Sequence, residues 1–320
     1  MSLNGLVSDD ELRQHHCLER VDLVPGDPET TAFKRRARLH QANWREHAGF
    51  KIGTQPMRPT AGRPCRILGS RLDLAQARES RANFLDDRIR AAVQNRLDHP
   101  EPHQTLNEDR LFCDLLSSMP MCFNVFGHFH DNFCIATDMV RCLWPDAPGP
   151  VSNVRFEWSP GRRRPGEYLE NRSAFDVAFE LTLADGSLGV IGVETKYHER
   201  CKAESVPGED RLRRYKHVSA TAGVFTHEAM HKVTGTHLQQ IWLDHLLALS
   251  MLQHTNPQWK WVKFVLVHPE RNPSYARAAE SYRALLKDSA TFEVCTIESV
   301  LAAMGSAPEV VDAFRKRYLW

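Results

Sequence analysis

Residues 173–199 read SAFDVAFELTLADGSLGVIGVETKYHE, two runs of strand-forming residues joined by Ala184-Asp185-Gly186-Ser187. An Asp-Gly pair between such runs marks a β-hairpin, because the glycine adopts the positive φ that a tight turn demands. In the first strand Phe175, Val177, Phe179 and Leu181 alternate with Asp176, Ala178, Glu180 and Thr182. In the second, Val190, Gly192, Glu194 and Lys196 share a face opposite Ile191, Val193 and Thr195. This period of two predicts strands with two distinct faces. The pairing can therefore bring Asp176 beside Glu194 and Lys196 on one patch of sheet. Two carboxylates offer hard oxygen ligands to a divalent cation, and a lysine adds positive charge next to them. Those groups suit hydrolysis of a phosphodiester.

The flanking segments place the hairpin in an α/β context. A basic amphipathic helix is expected over 29–49, then a Pro/Gly-containing linker from Thr54 to about Gly69. Helical patterns follow at 72–98, 105–119 and 133–143, the first two separated by His99-Pro100-Glu101-Pro102. VSNVRFEW (151–158) reads as the first strand of the sheet. After the hairpin come a charged stretch (199–217), a helix at 236–254, a buried strand at 261–269, a helix at 274–288, a strand at 292–297 and two short C-terminal helices. Helices alternating with strands predict a mixed sheet covered by helices, with residues 1–100 as a helical extension and 101–320 as the sheet-bearing domain.

Composition narrows the class without choosing a function. A chain of 320 residues with 42% hydrophobic and 25% charged side chains can bury a substantial core. A net charge of +1 argues against a generic polyanion binder and leaves local basic clusters, such as 34–38, Arg162-Arg163-Arg164 and 211–216, as candidate contacts. The cysteines at 17, 65, 113, 122, 134, 142, 201 and 295 form no CxxC pair, so reduced thiols and a cytoplasmic setting are expected. Met1-Ser2-Leu3 reads as a possible cloning scar, and neither a signal-peptide pattern nor a bilayer-length apolar run is present in the sequence.

An Asp on one strand with Glu-x-Lys closing the next resembles the PD-(D/E)xK nuclease superfamily, the restriction-endonuclease-like fold. Phe175 stands where the family usually has proline. DLLSSMPMCFNVFG (114–127) and the helix around FKRRARLHQANWREHAGFKIG also look like one branch of that superfamily. The resemblance implies Asp176 and Glu194 as ligands of Mg²⁺ (or Mn²⁺), helped by the carbonyl of Thr195, with Lys196 orienting the attacking water. It further implies a glutamate from the helix before the sheet, for which Glu108 is the candidate, and a helical glutamine, Gln239 or Gln240, facing the site. Glu180, on the same strand face as Asp176, would be either an outer acid or merely exposed. The substrate implied is nucleic acid, with DNA favoured. A homodimer is compatible with cutting both strands of a duplex.

Two other readings compete. His227-Glu228-Ala229-Met230-His231 matches H-E-x-x-H, which on a helix places two imidazoles on one face for zinc and a glutamate near its water. His237 stands where a third ligand would fall, but Thr234 occupies the position that metzincins give to glycine. The remaining reading is a nuclease fold that binds nucleic acid without cutting it.

Overall fold

The computed structural model describes residues 7–55, 66–101, 104, 106–254, 259–305 and 307–320. Met1-Ser2-Leu3, Cys65, Pro102 and most of the 54–69 linker lie outside the described residues. In chain order, α1 (Asp9–Gln14) and α2 (Pro28–His47) precede a two-stranded antiparallel ribbon of β1 (Ile52–Thr54) and β2 (Ile67–Leu72). Helices α3 (Leu74–Ser80), α4 (Asp87–Asp98), α5 (Glu108–Cys113), α6 (Ser118–Phe126) and α7 (Phe133–Leu143) follow. The main sheet contains β3 (Val151–Trp158), β4 (Phe175–Thr182) and β5 (Leu188–Thr195). After α8 (Glu209–Ala222), α9 (Ala229–Val233) and α10 (Gln239–Leu252) it continues with β6 (Trp259–His268), α11 (Pro273–Arg283) and β7 (Phe292–Thr296). Helices α12 (Ile297–Ala303) and α13 (Pro308–Tyr318) close the chain.

The strands lie in the order β3-β4-β5-β6-β7: β3, β4 and β5 pair antiparallel, and β6 and β7 add in parallel. β5 is therefore central, which explains its nearly unbroken apolar run before Glu194. One face of the sheet meets a core with Phe123, Phe126, Phe179, Ile191 and Val193. The other meets a core with Ala178, Val190, Trp242, Leu246 and Phe264. Ala37 of α2, Phe84, and Phe314 and Tyr318 of α13 belong to the first core, so the N-terminal helix packs into the same interior as the sheet. Among the described residues, no helix is long and apolar enough to cross a membrane.

Three local expectations change. The 72–98 pattern is two helices: the Asp73 carboxylate caps α3, Arg81 ends it at φ 53°, and Asp86 caps α4. The 105–119 pattern is likewise split, with Ser117 capping α6. The face alternation of the hairpin holds from Val177 to Leu181 and fails at Phe175. Val177 faces the first core and Phe175 the second, although residues two apart in a regular strand point the same way. Phe156 and Trp158, their partners on β3, switch in the same manner. Between them sits Glu157 at φ 49°, a left-handed backbone that a non-glycine residue rarely adopts. The switched Phe175 ring lies over Gly192, where a Cβ would come within 2.4 Å of it.

Candidate active site

The twist at Glu157 and Asp176 makes a corner. The β4–β5 ladder ends at Val177 opposite Val193, so the next positions, Asp176 and Glu194, flank the point where the two strands part. Glu157 follows Phe156, the β3 partner of Val177. Its carbonyl accepts from the Arg162 guanidinium at 2.7 Å and from Arg96 at 3.5 Å, which holds the unusual backbone in place. Arg162, expected as a substrate contact, is thus a buried brace of this corner.

Asp176 Oδ2 accepts from the backbone N–H of Thr195 at 2.8 Å and from its hydroxyl at 2.6 Å, tying the end of β5 to β4 by a side chain where the ladder has stopped. Oδ1 has no hydrogen-bond partner among the described residues. Glu194 Oε1 accepts from Lys196 Nζ at 2.6 Å and from Gln240 Nε2 at 3.2 Å. Its other oxygen is also without such a partner, as are both carboxylate oxygens of Glu157. Lys196 lies one residue past β5, fixed by its N–H donating to the Val267 carbonyl at 2.8 Å, with its ammonium 5.8 Å from the centre of the Tyr275 ring. One helical turn after Gln240, Asp244 is 93% buried, and its Oδ2 has no partner.

The electrostatics follow from this crowding. Burial, then the charges of Asp176 and Glu194, push the Glu157 carboxyl up to about 8. Burial and Asp176, partly offset by Lys196, push Glu194 up to about 7. Asp176 is raised by burial against the opposing pull of Lys196 and Thr195, and Asp244 is raised by burial and by Glu194. Burial works against the Lys196 ammonium, yet Glu194 and its neighbours raise its pKa well above the usual lysine value, so it stays charged.

Other expected residues lie elsewhere. Glu108, read as a ligand, is half-exposed and pairs with Arg78 at 2.8 Å, making no contact with Asp176, Glu194 or Lys196. The acid beside them is Glu157. Glu180 pairs with Arg155 at 3.0 Å, four strand residues away from Asp176. Gln239 clamps a loop, accepting from the Gly235 N–H and donating to the Ser205 carbonyl, while its neighbour Gln240 reaches Glu194. Sequence reasoning missed Glu157 and Asp244. The traces they left were a lone acid ending the inward alternation of VSNVRFEW and an acid at i+4 from Gln240.

The H-E-x-x-H segment does not form a zinc-binding helix face. α9 has five residues, His227 precedes it in a turn, and exposed Glu228 pairs with Lys232 at 2.6 Å. Among the described residues, no three His, Cys, Asp or Glu side chains form a ready-made metal cage. Magnesium does not need one, since one or two carboxylates, waters and substrate phosphate suffice. Asp176 and Glu194 fit that pattern, with free oxygen lone pairs and mutual repulsion that a cation would relieve.

A family model described as the PD-(D/E)XK nuclease superfamily matches residues 27–320. No curated protein and no solved structure matches the chain.

Proposed function

Since the chain belongs to the PD-(D/E)XK nuclease superfamily and has its restriction-endonuclease-like fold, we propose that it is a divalent-metal-dependent nuclease acting on DNA. The reading is carried by the convergence of Asp176, Glu194 and Lys196 at the corner where β4 and β5 part, with more buried negative charge than Lys196 alone balances. Asp176 and Glu194 would hold Mg²⁺ or Mn²⁺, with Glu157 as a third acid and the Thr195 carbonyl as the backbone donor. When bound, the cation would neutralise phosphate charge and lower the pKa of its water.

The remaining work falls to the protein's own groups. Lys196, charged and in a low-dielectric corner, donates to the attacking water or a non-bridging oxygen and stabilises the negative charge that grows at phosphorus. Gln240 orients Glu194 through the 3.2 Å amide contact. Thr195 fixes one oxygen of Asp176 and so turns the other outward. None of these groups reads a base, so the chemistry itself carries no sequence preference.

Glu194→Ala should abolish Mg²⁺-dependent cleavage of plasmid and linear DNA, by at least about 10³-fold, while circular dichroism stays native. Retained cleavage in that variant, purified free of host nucleases, would refute the assignment.

A further inference from the structure

A cleft of about 750 Å³ lies next to the corner, walled by α2, β2, α5 and the segment after β5. Arg110 and Glu199 line it and also act on the corner. Arg110 lowers the pKa of Asp176 by its charge, while Glu199 accepts from the Ser118 hydroxyl at 2.9 Å and feels the Lys196 charge. Ser118 links the two, its carbonyl accepting from the Thr195 hydroxyl and its own hydroxyl donating to Glu199, so the cleft adjoins the corner although Asp176, Glu194 and Lys196 do not line it.

Its charges do not cancel. Every carboxylate on its wall is tied to a cation: Glu19 to Arg66, Asp109 and Asp114 to Arg71, and Glu199 to Arg110. Asp22 beneath it carries one negative charge against Arg38 and Lys34, while burial lowers the pKa of the neighbouring His198 imidazole and favours its neutral form. Lys34 is 96% buried, yet its ammonium makes no hydrogen bond among the described residues, and Asp22 lies 3.7 Å away with Arg38 already bound to it. Arg200 and Lys202 are exposed on the same wall without ion-pair partners among the described residues. Arg200 lies close enough to Lys34 for their like charges to repel. Two exposed cations without ion-pair partners among the described residues, beside a lysine that shares its one counter-ion with Arg38, favour an anion in an open cleft. Val21 and Leu23, 62% and 52% exposed, give the rim an apolar lip suited to sugars or bases.

We propose that this cleft carries the backbone of the nucleic-acid strand running from the scissile phosphate, with Lys34, Arg200 and Lys202 bearing its phosphates. This makes α2 a wall of the substrate channel. The inference rests on the nuclease reading of the corner, so the two must be tested separately.

Binding of a fluorescein-labelled DNA oligonucleotide by full-length Glu194→Gln protein, followed by anisotropy across a salt series, makes that separation. Adding Arg200→Ala and Lys202→Ala together should weaken binding roughly tenfold and flatten the log Kd against log salt slope by about 1.5, near the value for two lost phosphate contacts. Lys34→Ala should flatten it further and Lys34→Arg should restore it. Because Lys34 is buried, the two surface substitutions decide the matter if Lys34→Ala unfolds. Unchanged affinity and slope in the surface pair, in a protein whose wild type cuts DNA, would overturn the channel and leave the nuclease standing. Absence of DNA binding by the parent, with no cleavage by wild type, would overturn both.

Discussion

Two buried acidic centres contact the segment Lys196–Glu199, one through His198 and the other through Lys196, and their charge balance differs in sign. Around Asp22, 1% exposed, the guanidinium of Arg38, the imidazole of His198 at 2.9 Å and the ammonium of Lys34 surround a single carboxylate. Burial alone would raise that carboxyl, but the close His198 imidazole and the hydrogen-bonded Arg38 guanidinium outweigh it and hold it far below the ordinary range. Around Asp176 the proportion reverses: Glu157, Glu194 and Asp244 join it, and among the described residues Lys196 is the one cation bonded to the group. Their carboxyls move up. A carboxylate enclosed by cations fastens parts of a fold together, whereas acids left in excess repel one another and hold their protons more tightly. The first centre in fact serves the second. Asp22 lies against His198, Gln41 and Tyr318 engage the Tyr197 hydroxyl, and Asn272 holds the carbonyls of Tyr197 and Glu199, so the strand end bearing Lys196 is fixed from four parts of the chain.

The comparison breaks most visibly in stability. Asp22→Ala leaves Arg38 buried and unpaired and should cost about 3–5 kcal/mol in urea unfolding, the penalty of stranding one partner of a buried ion pair. Glu157→Gln removes a carboxylate that has no hydrogen-bond partner among the described residues and for which burial and the repulsion of Asp176 and Glu194 outweigh the pull of Arg162 and Arg110. At pH 8 without metal it should leave the protein as stable as wild type or more so. Equal destabilisation by both would erase the distinction between a fastening acid and a surplus one.

A smaller effect sharpens the same contrast by pH. The Glu157 carboxyl is raised to about 8 and Glu194 to about 7 in the folded chain, from ordinary values of 4.5. Folding therefore favours their protonated forms. The stability they contribute is fully present below about 4.5 and is lost as pH climbs through 7 and 8. The Tm of metal-free wild type, measured against Glu157→Gln, should fall between pH 5 and 8, and Mg²⁺ should recover more of it at pH 8 than at pH 5. A Tm difference independent of pH would show that Glu157 feels no surplus charge.

How much of this could be read from the residues depends on what each position requires. The hairpin was legible because alternation and an Asp-Gly turn are local. Asp176, Glu194 and Lys196 were legible because two short strands leave few ways to pair. Gln240 was half-legible: Gln239 lies beside it, and only packing decides which amide faces the sheet. Glu157 was not legible. Its position depends on a positive φ at a residue with a side chain, braced by Arg162 from a loop, and no glycine announces such a twist. Glu108 had the opposite fault, being a plausible acid at a helix start whose real partner, Arg78, comes from a distant helix. The long helical pattern at 72–98 hid its break because caps such as Asp73 and Asp86 read as ordinary surface acids until the backbone turns.

The smallest expected effect tests a third acidic group. Glu228 is exposed and its pKa is lowered by the hydrogen bond and charge of Lys232, one turn away, so it resembles neither buried centre. His227 and His231 are exposed on either side of it, one in the turn and one in the five-residue α9. Replacing exposed side chains with no buried partner changes stability by less than about 0.5 kcal/mol. His227→Ala and His231→Ala should therefore leave both the Tm and Mg²⁺-dependent cleavage at the wild-type level, and added zinc should raise the Tm of wild type no more than that of the double variant. Loss of cleavage in either variant would mean that chemistry also resides in H-E-x-x-H. The excess of buried acid at the β4–β5 corner would then no longer be sufficient to locate the active site.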